Sequence, residues 1–98
     1  MSYFMAELWL PQPLNDEFYA LIPRHRKMVN DLIERGIVNS YTVDENRTKI
    51  WILFSASEES EVLAHLKNLP IFRFVKVEIF KLFIADGDIF RLPKVNLN

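Results

Sequence analysis

Apolar residues recur every three or four positions from Asn15 to Gly36. Phe18, Leu21, Ile22, Met28, Val29, Leu32 and Ile33 mark one face of a long amphipathic helix. Asn15 or Asp16 is placed to cap its free backbone amides, and Asp16 and Glu17 suit the positive end of its dipole. Gly36, after Glu34 and Arg35, is the C-terminal stop. Pro23 lies inside this span, where a proline removes a hydrogen bond and clashes with the preceding turn at a cost of about 3 kcal/mol. The stripe keeps its phase across Pro23, which predicts a kinked but continuous helix. His25 falls on the same stripe, between Ile22 and Val29.

Around this helix the period changes to two. Phe4, Ala6, Leu8 and Leu10 alternate with Tyr3, Met5, Glu7 and Trp9, predicting a strand over Tyr3 to Leu10 that Pro11 and Pro13 end. Ile37 to Asp44 and Lys49 to Ser55 form a second and third strand, joined by the polar turn Asp44-Glu45-Asn46-Arg47-Thr48. Ser57 caps a second helix whose buried stripe is Val62, Leu63, Leu66 and Leu69, and Pro70 stops it. A long fourth strand is expected over Ile71 to Phe83, with Phe74, Lys76, Glu78 and Phe80 on one face. The first 84 residues make the domain, and 85–98, with a turn at Asp86-Gly87-Asp88, read as a C-terminal arm outside the core.

The order β-α-β-β-α-β defines an α+β, ferredoxin-like fold: a four-stranded antiparallel sheet with two helices on one face. Helices cover one face only. The other carries Tyr3, Met5, Glu7, Trp9, Trp51, Leu53, Phe74, Lys76, Glu78 and Phe80, too aromatic for a solvated surface. Two such sheets packed face to face, a dimeric α+β barrel with Glu7, Lys76 and Glu78 pairing at its mouth, would cover it.

Composition narrows the function. The chain has 98 residues, half of them hydrophobic, with a formal net charge of -1. That balance gives no electrostatic footprint for nucleic acid or anionic membrane, and the strands lack the aromatic-basic signature of sheet-based RNA binding. With no cysteines there are no disulfides, thiol nucleophiles or thiolate metal sites. No apolar run approaches the roughly 18 residues of a spanning helix, and the start lacks a secretory pattern, so a cytoplasmic location is expected. No glycine-rich phosphate loop, nucleophile elbow or metal-ligand spacing is present, which predicts neither cofactor nor metal.

The candidate chemistry is small-molecule chemistry. His25 is either a general acid-base group tuned in a cleft between helix and sheet, or a core-edge histidine satisfied by Tyr41 or a backbone carbonyl. Glu7 and Glu78 are proton carriers if desolvation raises their pKa, or else salt-bridge partners of Lys76. Arg24 and Arg26 beside His25, and Arg73 before the fourth strand, are candidates to hold a substrate carboxylate, with Tyr41 and Trp51 lining the pocket.

Leu10-Pro11, Arg35-Gly36, Trp51-Ile52-Leu53-Phe54, the tract Leu66 to Phe72 ending Leu69-Pro70-Ile71-Phe72, and Val77-Glu78 with Leu82 together resemble the muconolactone isomerase family of small dimeric α+β barrel proteins. The resemblance covers roughly Met1 to Leu82 and rests on structural positions. It implies a cofactor-independent isomerase that moves a double bond in a small unsaturated lactone acid, and obligate oligomers with pockets near subunit contacts. That chemistry needs a proton carrier, for which His25, Glu7 or Glu78 are available. It also needs donors for the dienolate and the carboxylate, from Arg24, Arg26 or Arg73. A non-catalytic binding or assembly module and a cofactorless monooxygenase are the alternatives on the same fold.

Overall fold

The computed structural model describes residues 1–87, so most of the expected arm at 85–98 lies outside the described residues. The elements run β1 (Ser2–Trp9), α1 (Asp16–Glu34), β2 (Val38–Val43), β3 (Lys49–Ala56), α2 (Glu59–Lys67) and β4 (Lys76–Lys81). They form one four-stranded sheet in the order β2-β3-β1-β4, with every neighbouring pair antiparallel. This is the expected ferredoxin-like arrangement. Among the described residues no helix is long and apolar enough to cross a membrane.

Alternation along β1 sorts the sheet's two faces. Phe4, Ala6 and Leu8 are fully buried beneath the helices, together with Ile52 and Phe54 of β3. Phe18, Val29 and Leu32 of α1, Val62 and Leu66 of α2, and Ile71 complete one core. Full burial of a side chain of this size contributes about 1.5–3 kcal/mol, so the rows from β1 and β3 fix which face the helices occupy.

Helix α1 is continuous through Pro23. Its start is capped by Asn15, whose Oδ1 accepts from the Phe18 amide at 2.8 Å. It ends in a Schellman turn: the Gly36 amide donates to the Ile33 carbonyl and the Ile37 amide to that of Leu32, both at 3.0 Å. Gly36 has φ +76°, the left-handed geometry this turn requires.

Three local expectations are corrected. The fourth strand begins at Lys76 and ends at Lys81, well inside the predicted Ile71 to Phe83. After Pro70 the chain forms i→i+3 bonds, Phe72 to Leu69 at 3.0 Å and Phe74 to Ile71 at 2.9 Å, that wind Phe72–Phe74 into a 3₁₀ turn. Phe74 consequently packs edge-on against Phe18, 5.8 Å between ring centres, away from the face predicted for it. Helix α2 is capped at Glu58, one residue later than Ser57, because the Glu61 carboxylate accepts from the amides of both Ser57 (2.8 Å) and Glu58 (3.3 Å).

Candidate functional site

The side of α1 that carries His25 does not close completely on the sheet. Between the first turns of α1, the end of β2 and the β2–β3 turn lies a cleft of about 470 Å³. Its walls are largely apolar, formed by Leu14, Phe18, Ile22, Ile50, Ile71 and their neighbours. The polar residues lining it are Tyr41, His25, Tyr19, Arg26 and Arg47, and among the described residues no acidic one lines it. A mostly apolar cleft of this size with a few convergent polar groups is the usual form of a small-molecule site.

His25 reaches the cleft through Tyr41. The helical period that buries Val29 and Leu32 also buries His25, which is 1% exposed. Tyr41 lies opposite Ile52 in the β2–β3 ladder and therefore shares the helix-facing side of the sheet. The two side chains meet with Nε2 of His25 2.7 Å from the Tyr41 hydroxyl. Burial, and secondarily the neighbouring Arg26 charge, lower the His25 pKa from 6.5 to about 4. Burial also pushes the Tyr41 phenol up to about 12, against the opposing pull of Arg26. Both partners are therefore neutral at physiological pH. Either the phenol donates to Nε2 and the imidazole carries its proton on Nδ1, or Nε2–H donates to the phenol oxygen and leaves its proton free for the cleft. In both tautomers Nδ1 is buried without a hydrogen-bond partner among the described residues.

Arg26 completes the constellation. Its guanidinium carbon lies 5.9 Å from the centre of the Tyr41 ring, within cation-π range. Arg24 is exposed and does not line the cleft. Arg73 is outside it too: it pairs with Glu17 at 2.7 Å and lies over the Phe74 ring at 4.4 Å, both partners well exposed.

Glu7, Glu78 and Trp51 lie together on the opposite face of the sheet. Glu7 stands directly across from Trp51 on one side and Glu78 on the other. Glu7 pairs with Lys49 of β3 at 3.1 Å rather than with Lys76, although both lysines stand one diagonal step from it, on either side of Trp9. Lys49 also lies 5.3 Å from the centre of the Trp9 ring. The sheet thus separates the candidate residues into two groups that cannot act on one molecule: His25, Arg26 and Tyr41 in the cleft, and Glu7, Glu78 and Trp51 behind it. Among the described residues no group of three His, Cys, Asp or Glu side chains has a metal-binding arrangement.

Sequence reasoning missed Arg47 and Tyr19. Tyr19 follows the buried Phe18 by one residue and so falls beside the apolar stripe, leaving its ring half-exposed at the rim. Arg47 was counted as a turn residue, yet the turn itself was the signal: it brings the β2–β3 connection back to the open end of α1.

These features define the class of protein. It is a ferredoxin-like α+β domain with a largely apolar cleft between its first helix and its sheet. Among solved structures it is similar to a crystal structure of muconolactone isomerase, with a TM-score of 0.69 over 89% of this chain and 94% of that chain, at 16% sequence identity. At that identity the likeness shows a shared fold. No protein-family model matches the chain. No curated protein matches it either.

Proposed function

We propose that this protein is a cofactor-independent isomerase that shifts a proton, and with it a C=C bond, in a small unsaturated lactone carboxylate. The observation that carries the reading is the neutral His25–Tyr41 pair, 2.7 Å apart, beside Arg26 in an apolar cleft that no carboxylate lines among the described residues. Its similarity in fold to muconolactone isomerase supports the choice of substrate. The reaction breaks one C–H bond, forms another and passes through a dienolate, so it needs a proton carrier and cationic or hydrogen-bonding groups for the developing charge. The carrier is the pair: a substrate proton passes to the Tyr41 oxygen as the phenol proton moves to Nε2, and the return step reverses this at the second carbon. His25 is a weak base in the empty cleft partly because Arg26 repels its charged form. A carboxylate on Arg26 cancels that repulsion when substrate is bound, while the burial that lowers the imidazole most remains.

The test is turnover of muconolactone followed by ultraviolet absorbance. Activity should fall by orders of magnitude in both His25→Ala and Tyr41→Phe. A folded protein that leaves muconolactone unchanged would remove the isomerase reading.

A second reading, a non-catalytic module that binds the same kind of molecule, draws on the near-complete burial of His25. It is distinguished by ligand-induced thermal stabilisation without turnover.

We infer in addition that the outer sheet face is covered by a second copy of the chain. Tyr3, Met5, Trp9 and Trp51 are only half-buried there and Phe80 is 42% exposed. The row Glu7–Glu78 lies next to the row Lys49–Trp9–Lys76, so two faces related by a two-fold axis offer each acidic row a basic one. Light scattering on the eluting protein should give the mass of a dimer or a multiple of it, and a monomer would sink this inference.

A further inference from the structure

Arg47 holds a backbone conformation that its side chain does not favour. Its φ is +58°, and among the described residues it is the one non-glycine with positive φ. The Arg47 amide donates to the Asp44 carbonyl at 3.0 Å, which makes Glu45 and Asn46 the centre of a tight turn. Arg47 therefore occupies the left-handed position after the turn, where glycine or asparagine fits with less strain. The surrounding bonds hold it there. The Asp44 carboxylate accepts from the Thr48 amide (2.7 Å), the Thr48 hydroxyl (2.6 Å) and the Lys49 amide (2.8 Å). The Arg47 carbonyl accepts from Nε2 of Gln12 at 3.2 Å, tying the turn to the β1–α1 connection.

Nothing in the turn uses the guanidinium. Arg35 and Arg73 are neutralised by Asp31 and Glu17, whereas Arg47 and Arg26 have no ion-pair partner among the described residues. What the two share is the cleft, which both line and to which no carboxylate of the described residues contributes. Two unneutralised guanidinium groups on one apolar cleft leave an anion as the missing component. A strained residue whose side chain serves no structural partner points in the same direction.

We propose that Arg47 is the anion-anchoring residue of the cleft. With Arg26 it takes the carboxylate of a small organic acid whose apolar body lies against Phe18, Ile22 and Ile50. This rests on the cleft being the ligand site and not on isomerisation.

The experiment compares phenylacetate with uncharged phenylacetamide, by calorimetry and by the Nε–H resonances of the arginines. The wild-type chain should prefer the acid by about tenfold or more, the strength of a charge-assisted contact, with the Arg47 and Arg26 resonances moving together. Arg47→Gly should bring the two ligands close to parity and raise the thermal midpoint, because glycine adopts φ +58° without strain. Arg47→Gln should lose the preference with no rise in midpoint. Retention of the preference in both variants overturns the proposal, as does a wild-type chain that binds neither probe. Perturbation of Arg47 by inorganic phosphate but not by phenylacetate also overturns it. Failure to turn over muconolactone with phenylacetate binding intact removes the isomerase reading alone.

Discussion

Lowering the pH from neutrality to about 4 perturbs the His25–Tyr41 pair without any ligand. The folded-state pKa of His25 lies near 4, below its ordinary 6.5, because the charged imidazole would be buried beside Arg26. In the interval between those values the unfolded chain binds the proton and the folded chain does not. Stability is therefore complete above about 6.5 and is lost as the pH falls toward 4. At ~1.36 kcal/mol per pH unit, the fall corresponds to about 3 kcal/mol, a large share of the 5–15 kcal/mol typical of a domain's stability. Urea unfolding followed through Trp9 and Trp51 fluorescence, at a series of pH values, measures it. The wild-type chain should lose about 3 kcal/mol more than His25→Gln across the interval, since other titrating groups are common to both. Equal pH dependence in the two proteins would refute the reasoning. So would an imidazole resonance that titrates near 6.5 in the folded state.

Tyr41→Phe leaves Nε2 of His25 buried without its partner and should cost about 1–3 kcal/mol in the same urea assay. Gly36→Ala meets no neighbouring atom but must hold φ +76°; a loss of about 1 kcal/mol, all of it from the backbone, is expected by calorimetry. Asp44→Ala should lower the urea midpoint by releasing the three hydrogen bonds its carboxylate accepts. Those bonds hold the Asp44 pKa below its ordinary value of 3.8. The wild-type advantage should accordingly be full above that value and shrink in stronger acid.

The fold was readable because two periodicities gave consistent answers. The step of two in Phe4, Ala6 and Leu8 and the phase kept from Phe18 through Val29 to Leu32 each select one face, and the structure buries those faces against each other. The same periodicity puts His25 inside the protein, and of the two partners it allows, Tyr41 or a backbone carbonyl, the structure has Tyr41. The fourth strand was harder to bound. Phe72, Phe74 and Val75 suit a strand and a 3₁₀ turn equally, and the choice was made by Phe74 packing on Phe18, a contact between distant parts of the chain. The site divided for a related reason. Alternation places Glu7 and Trp51 on one face, but whether two faces border one cavity depends on how far α1 stands from the sheet. Arg47 was obscured because turn residues are read for backbone geometry, and its side chain gains meaning only from the cleft that the turn meets.

The strand order also has a kinetic side. Only β2 and β3 are neighbours in both the chain and the sheet, with the Asp44 turn between them. The central strand β1 must find β3 in a register running from Ser2 with Ala56 to Trp9 with Lys49, and β4 must then find β1. Closing those long loops precedes any reward from the contacts they bring. The hairpin is thus the piece of sheet able to form early. Loosening its turn in Asp44→Ala should mainly slow folding, while trimming β4 in Ile79→Val should mainly speed unfolding. The turn that fixes the Arg47 backbone in the finished protein is thus also expected to set how fast the sheet is assembled.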